Sequence, residues 1–223
     1  NESAFSAGAT ATVEEEPRTD PASPRSVQPD VRFGNGDPSD AGNYRLIALP
    51  GSVDIDVASL FGGQAGESGD WRVFREAGGD GSNTSVLQEC DVDQTCRFAP
   101  GEGYWALSGA PWQPSITVDP VPLSSAGTYS VKVHDGWNII SNPFAVPIDW
   151  SVVQAETGTD LGVLYAYDGA WRTVQSMNTA VSGEAYYFKN DAGINAIALP
   201  HPSAKRSIAQ GTKDTGKGGP ARL

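Results

Sequence analysis

The sequence LIALP at residues 46–50 returns as IISNP at residues 139–143, an offset of 93 residues. Self-similarity at a fixed spacing indicates copies of one structural unit, so this match governs how the rest of the chain is interpreted. Four further blocks recur in the same order. The offset stays at 93 through the block at residues 71–74 and falls to 82 at the block at residues 101–105, so the first copy has 11 additional residues in the loop between these two blocks. In the first and second copies these blocks are VDID 53–56 and VPID 146–149, WRVF 71–74 and LYAY 164–167, GEGYW 101–105 and GEAYY 183–187, and ITV 116–118 and IAL 197–199.

The blocks are short and apolar, and Gly, Pro, Asn and Asp separate them, which is typical of strands in a β-sandwich or barrel. Helix signals occur at one place in each copy. Asp56 precedes VASLF, and Asp149 precedes WSVVQAET, which ends at Gly158. An Asp accepts hydrogen bonds from free N–H groups at a helix start, and Gly adopts the left-handed turn at its end. The sequence therefore predicts an all-β protein of two tandem, internally duplicated small sandwich or barrel lobes, with one short helix per lobe and extended terminal arms.

Composition separates the lobes from the ends of the chain. Residues 1–43 carry eight acidic and three basic side chains and five prolines, which indicates an acidic, Pro-rich arm or linker. Residues 203–223 form a basic, Gly-rich tail with five basic side chains and one acidic. Between them we expect a first β repeat with a cysteine loop at residues 44–120 and a second repeat with a connecting strand at residues 121–202.

The charge and hydropathy of the chain exclude two classes of partner. The net charge is −12, and nucleic-acid binding needs a basic face that neutralises phosphates. No apolar run approaches the roughly 20 residues of a membrane-spanning helix. We therefore expect no nucleic-acid partner and no membrane insertion.

Signals for catalysis are weak. The two histidines, His134 and His201, lie in turns, where a solvated side chain is expected. Glu102 and Glu184 occupy equivalent turns of the two copies, and a glycosidase would need both carboxyl groups about 5 to 10 Å apart across one cleft. Duplication alone explains the pair. The sequence therefore predicts that the protein is not an enzyme and uses no cofactor.

Cys90 and Cys96 are the two cysteines of the chain, and no histidine accompanies them in a zinc-binding pattern. A disulfide in an oxidising compartment is the expected pairing, which favours an exported, extracellular or cell-surface protein. Asp91 and Asp93 lie in the loop between them and offer oxygen ligands of the kind that calcium takes, but they lack the spacing of a calcium-binding loop. A solvated acidic loop is the favoured interpretation, and we expect no metal site.

The segment GWNIISNPF at residues 136–144, followed by IDW at residues 148–150, resembles the GWNxxxNP β module of large secreted bacterial surface proteins. The resemblance extends over residues 44–200, where YRLIALP at residues 44–50 is similar to the preceding unit of the same proteins. Such modules often accompany export by the type IX route. The resemblance implies a secreted accessory region and says little about activity.

Tryptophan gives the best sequence signal for binding. Trp71, Trp105, Trp137 and Trp150 fall inside repeated blocks, where a large ring most simply fills a core. Trp112 and Trp171 stand in turns, where they are expected to be exposed. Flat rings on a β surface stack on sugar faces, so these two residues are the candidate sugar-binding residues.

A short segment of the N-terminal arm has β-compatible alternation. An intersubunit strand is one interpretation, and draping over the arm's own lobe is the other. The sequence favours a non-catalytic extracellular structural or adhesion module that assembles through its arms with its parent chain or identical subunits. The alternative is a carbohydrate-binding module with a glycan partner. The residues of the candidate intersubunit strand are Ala9, Thr10, Ala11, Thr12 and Val13.

Overall fold

The computed structural model describes residues 18–19, 25–78, 86–90 and 96–203. These residues form antiparallel strands with one α-helix, which confirms the predicted all-β class. The candidate strand at residues 9–13 lies outside the described residues. In chain order the strands are β1 (Arg18–Thr19), β2 (Arg25–Val27), β3 (Arg45–Ile47), β4 (Ile55–Asp56), β5 (Trp71–Glu76), β6 (Leu87–Glu89), β7 (Arg97–Phe98), β8 (Tyr104–Ser108), β9 (Ile116–Val118), β10 (Pro122–Leu123), β11 (Thr128–Lys132), β12 (Gly136–Ile140), β13 (Ile148–Asp149), β14 (Leu164–Tyr167), β15 (Trp171–Val174), β16 (Ser176–Met177), β17 (Tyr186–Asn190) and β18 (Ala196–Pro200).

Two four-stranded antiparallel sheets have the same strand order. The first runs β3, β8, β5, β6, and the second runs β12, β17, β14, β15. Each sheet is accompanied by the same two small pairs, which are β2 with β9 and β4 with β7 in the first case, and β11 with β18 and β13 with β16 in the second. We call residues 25–118 the first unit and residues 121–203 the second unit.

Each unit carries a helical segment at the predicted place, but the two differ in length. The first is a 3-10 turn of four residues, Val57–Leu60, and Asp56 accepts a hydrogen bond from the Ala58 N–H at 2.9 Å. The second is an eight-residue helix, α1 (Trp150–Thr157), which ends at Gly158 in the left-handed conformation with φ of 74°. Two further 3-10 turns of the described residues are Ala41–Asn43 and Ala180–Ser182.

The first core extends into residues that the sequence assigns to the arm. Residues 27–33 alternate between buried and more exposed positions, and Val27 and Phe33 are in the core. The strand β2 pairs with β9, and Val31 makes an antiparallel bridge with Trp112. The arm boundary predicted at residue 43 therefore differs from the structure, because the period-2 pattern in residues 27–33 supplies one more strand partner to the first unit.

The two units meet through reciprocal backbone contacts. The Ala48 N–H donates to the Gly183 carbonyl at 3.0 Å, and the Ser141 N–H donates to the Gly101 carbonyl at 2.8 Å. Ala48 and Ser141 hold the same place in their blocks, as do Gly101 and Gly183. Both glycines have positive φ, 81° and 78°, and a Cβ on either would meet a neighbouring side chain. Each unit thus donates from one position and accepts at the other, which is the contact pattern expected of two units related by an approximate two-fold axis.

Apolar side chains fill the junction between the two units. The cluster joins β3 and Ala48 of the first unit to β12, Ala185 and β17 of the second unit. Gly103 lies against it, and a Cβ there would come within 2.5 Å of the Ala185 Cβ. Gly103 and Ala185 are equivalent positions, so one methyl group occupies the space that two would need. The buried members of the cluster are Leu46, Ala48, Ile139, Ala185 and Tyr187.

Candidate ligand-binding cleft

Alternation along β14 separates core side chains from surface aromatic side chains. Leu164 and Ala166 are buried in the second core, whereas Tyr165 and Tyr167 are partly exposed on the opposite face of the sheet. Cross-strand pairing places Trp171 of β15 opposite Tyr167. Successive side chains of a strand point to opposite faces, so the second sheet carries an outer face of aromatic rings.

Five aromatic side chains line a cleft of about 430 Å³ on this outer face. Four of them belong to the second unit, and Trp105 comes from β8 of the first unit. The cleft therefore exists only because the two units are joined. We call it the aromatic cleft, and its lining residues are Trp105, Trp137, Tyr165, Trp171 and Tyr187.

Most of these rings meet edge to face. The Trp171 ring lies 5.6 Å from the Trp105 ring and 5.7 Å from the Tyr187 ring, with interplanar angles of 90° and 79°. The Trp137 ring lies 6.0 Å from Tyr165 at 61°. Such contacts hold the rings in fixed orientations. Trp171 is nevertheless 55% exposed, which is unusual for so large an apolar side chain.

A chain of hydrogen bonds runs beneath the cleft and crosses from one unit to the other. The Trp105 Nε1–H donates to the Tyr187 hydroxyl at 3.2 Å, and that hydroxyl donates to Glu76 Oε2 at 2.7 Å. The other oxygen of Glu76 accepts a hydrogen bond from the Val86 N–H. The buried phenol of Tyr187 is thereby satisfied, and the surface of the cleft is almost entirely ring carbon.

A second cleft of about 410 Å³ adjoins the first and shares Trp105 and Trp171 with it. Its remaining wall comes mostly from the first unit and includes Tyr44 and Phe74. The Tyr167 hydroxyl donates to the Ala41 carbonyl at 2.9 Å, which fixes this wall against the second unit. The aromatic surface is therefore continuous across the junction.

In the first unit, an ion pair occupies the positions equivalent to Tyr165 and Trp171. Arg72 lies 93 residues before Tyr165, and its guanidinium makes two hydrogen bonds to the Glu89 carboxylate at 2.7 and 2.8 Å. The guanidinium also lies 4.9 Å from the centre of the Phe74 ring. The hydrogen bonds with Glu89 raise the pKa of Arg72. Charge pairing thus occupies the place where the second unit has an open cleft.

The structure separates the two candidate sugar-binding residues. Trp171 is exposed, as predicted, and lies in the aromatic cleft. Trp112 is 2% exposed, so the prediction that it lies on the surface is wrong. The reason is its bridge to Val31, which turns the ring inward between Phe61 at 5.7 Å and Phe98 at 5.6 Å.

The tryptophans predicted to fill the cores also divide into two groups. Trp71 and Trp150 are buried in the first and second cores. Trp105 and Trp137 are only partly buried and line the aromatic cleft instead. Repetition in the sequence marks a shared position in the fold, but it does not distinguish the inner face of a sheet from the outer one.

The remaining predicted residues have clear positions. The structure joins Cys90 and Cys96 in a disulfide, as the sequence predicts. His134 is partly exposed, whereas His201 is 2% exposed with its ring 4.9 Å from Phe144, so the expectation of a solvated His201 is wrong. The acidic loop with Asp91 and Asp93 lies outside the described residues. Within the described ranges no cluster of three or more His, Cys, Asp or Glu side chains is suited to a metal ion, and no helix has the length and apolarity needed to span a bilayer.

Glu102 and Glu184 make equivalent bridges between the two units. Glu102 makes an antiparallel bridge with Ile140, and Glu184 makes the equivalent bridge with Ile47. Glu184 lines a cleft of about 190 Å³ between the units, and Glu102 is not among the residues that line it. Both repeated glutamates therefore belong to the contact between the units.

Each glutamate accepts a hydrogen bond from a buried tyrosine. The Tyr186 hydroxyl donates to Glu184 Oε2 at 2.8 Å, and the Tyr104 hydroxyl donates to Glu102 Oε2 at 3.2 Å. Burial raises the pKa of both tyrosines, and the nearby carboxylates raise it further. These hydroxyls stay protonated in the folded protein.

In comparisons with protein-family models, curated protein sequences and solved structures, no match to the chain was found. Its own geometry is therefore the basis for a functional proposal.

Proposed function

We propose that the protein is a non-catalytic extracellular binding module that acts in adhesion, and that the aromatic cleft binds a cell-surface glycan. The observation that carries the proposal is the solvent-open cleft walled by Trp105, Trp137, Tyr165, Trp171 and Tyr187. A concave apolar site at the contact between two structural units is the usual place for a ligand.

The exposure of the cleft argues for a ligand rather than a purely structural role. Trp171 keeps more than half of its surface in water although four other aromatic rings surround it within 6.3 Å. An exposed apolar patch of this kind marks an interaction site in soluble proteins. The five aromatic side chains that line the cleft also supply large contact area at low entropic cost, because each has only two side-chain torsions to fix.

Three features support the wider proposal. The Cys90–Cys96 disulfide fits an oxidising compartment. The GWNxxxNP segment resembles modules of secreted surface proteins. We also infer that the two units arose by duplication, because strand order and contacts at the junction are equivalent in both. Assembly through the terminal arms stays a prediction of the sequence.

Glycan-array binding tests the proposal. We expect the full chain to bind at least one class of surface glycan, and the Trp171→Ala and Trp137→Ala variants to lose about tenfold or more in affinity, because each removes a wall of the cleft. Val163→Ala is the matched control, since Val163 is 47% exposed and lies outside the cleft.

Two results would count against the glycan site. One is an absence of glycan binding by the full chain at millimolar concentrations. The other is glycan binding that survives unchanged in both tryptophan variants while the Val163→Ala control behaves in the same way. Far-ultraviolet circular dichroism and thermal unfolding establish that each variant is folded before its affinity is interpreted.

A further inference from the structure

We propose that the group of the glycan seated in the aromatic cleft is a quaternary ammonium substituent, such as the trimethylammonium group of choline, rather than an unsubstituted sugar ring. This inference rests on the proposed function in one respect, because it uses the same cleft as the ligand site. It goes further by naming the chemical group that the cleft selects. A quaternary ammonium carries its positive charge under methyl groups that pack on carbon and need no hydrogen bonds.

The geometry of the rings fits such a group. The ring planes stand at large angles to one another, 90°, 61° and 79°, so the lining side chains do not form one flat platform. A flat platform suits the face of one sugar ring, whereas a walled cleft encloses a compact group. Cations are attracted to the negative faces of aromatic rings within about 6 Å of the ring centre, and tryptophan gives the strongest attraction. Three of the five lining side chains are tryptophans: Trp105, Trp137 and Trp171.

The polar surroundings of the cleft favour a positive ligand over a neutral one. The Tyr187 hydroxyl donates to the Glu76 carboxylate, which places a negative charge directly behind a wall of the cleft. Donation to a carboxylate also raises the electron density of the phenol ring and so strengthens its attraction for cations. Lys189, the cross-strand neighbour of Trp137, is paired with Asp191 at 2.7 Å. The whole chain has a net charge of −12, which attracts cations from solution.

The composition of the lining points in the same direction. Recognition of neutral sugars relies on hydrogen bonds to hydroxyl groups, and a site that leaves those hydroxyls unpaired loses affinity. The aromatic cleft offers mostly ring carbon, and the Tyr187 hydroxyl is already engaged with Trp105 and Glu76. A trimethylammonium group has no hydroxyl to satisfy at this surface.

Calorimetric titration with choline and with its neutral isostere, 3,3-dimethyl-1-butanol, tests the inference. The two probes have the same shape and differ in charge. We expect choline to bind about tenfold more tightly, because the cation–π contribution adds to equal packing. The Trp171→Ala variant should lose binding of both probes. Glu76→Gln removes the charge and keeps one of the two oxygen acceptors that Val86 and Tyr187 use, so it should weaken choline several-fold and affect the neutral isostere much less.

The outcomes distinguish this inference from the proposed function. Equal affinity for choline and its isostere, or an equal effect of Glu76→Gln on both, would overturn the cation inference and leave the cleft as a ligand site. Glycan binding that requires Trp171, together with an absence of choline binding, would do the same. Choline binding that requires Trp171, without any glycan binding, would support the cation inference and contradict the glycan proposal. Vesicles of phosphatidylcholine, titrated alongside free choline, show whether a lipid headgroup is also accepted.

Discussion

The outer faces of the two units have the same strand order but opposite chemistry. In the second unit Tyr165 and Trp171 leave an open aromatic cleft. In the first unit the equivalent positions hold Arg72 and Glu89, whose side chains form a bidentate ion pair. The sheet therefore provides a position for side chains, and the residue types at that position decide whether it can bind a ligand. This difference implies that the ligand site lies on the outer face of the second unit, where Trp105 of the first unit completes it.

The largest expected effect comes from giving the second unit the chemistry of the first. We expect the double variant Tyr165→Arg, Trp171→Glu to bind ligand at least about 30-fold more weakly, because two aromatic walls are lost and an ion pair occupies the cleft. Calorimetry with choline, and with the best glycan from the array, measures the loss. Arg72→Ala, Glu89→Ala is the control in the first unit and should change affinity by less than about twofold. If the Tyr165→Arg, Trp171→Glu variant kept its affinity, the difference between the two outer faces would not explain ligand binding.

The next effect concerns the junction, where the units differ by one methyl group. We expect Gly103→Ala to destabilise the protein by about 1–3 kcal/mol, because the new Cβ would lie within 2.6 Å of both Ala185 and Ile139. Urea unfolding measures the change. Adding Ala185→Gly should recover part of the loss, since the methyl group is then moved across the two-fold axis rather than added. Full stability of Gly103→Ala alone would mean that the units do not pack as closely as described.

Alkaline unfolding tests a feature that the two units share. Tyr104 and Tyr186 have raised pKa values in the folded protein, so above about pH 10 they ionise in the unfolded chain before they ionise in the folded one. Their stabilising contribution is complete below that pH and is lost as the pH rises. We expect the free energy of unfolding to fall by up to about 1.4 kcal/mol per pH unit for each tyrosine. Tyr104→Phe and Tyr186→Phe should each flatten this decline by a similar amount, and a flat profile in the unsubstituted protein would contradict the burial of these hydroxyls.

The smallest effect is the stability of the ion pair itself. Arg72 and Glu89 keep 21% and 29% of their side-chain surface exposed, so solvent screens part of their attraction. A double-mutant cycle with Arg72→Ala and Glu89→Ala should give a coupling of about 0.5–1 kcal/mol that decreases in 1 M salt. A coupling of zero at low salt would show that the pair only covers the surface and does not stabilise the first unit.

Much of the fold could be predicted from the sequence because its signals are local. The blocks at residues 46–50 and 139–143 mark β3 and β12, which hold the same edge position in the two sheets, and Asp56 and Asp149 mark the helical segments. The strand at residues 25–27 could not be predicted as easily, because Pro29 and the acidic residues around it resemble a linker. The alternation of apolar and polar residues from Val27 to Phe33 is the signal in the sequence that this segment packs on the first unit.

The aromatic cleft was only partly predictable. Trp171 is exposed because it follows a turn, which the sequence indicates. The repeated blocks predict that Trp105 and Trp137 fill cores, but the register of their strands places both side chains on the outer faces of the sheets. A one-residue change of register reverses the face of every side chain in a strand, and the sequence pattern alone does not fix that register. The burial of Trp112 could not be predicted, because it depends on a bridge to Val31, which is distant in the sequence.

Nitrogen-15 NMR of the six tryptophan indole N–H groups tests the central claim most directly, because the protein contains its own control. Three indoles line the aromatic cleft, and the other three, Trp71, Trp112 and Trp150, are buried in the cores. During titration with tetramethylammonium chloride, and in a parallel sample with the best glycan from the array, we expect the signals of Trp105, Trp137 and Trp171 to shift and saturate while the other three stay in place. No saturable shift with either ligand, or shifts confined to the core tryptophans, would contradict the assignment of the cleft as the ligand site.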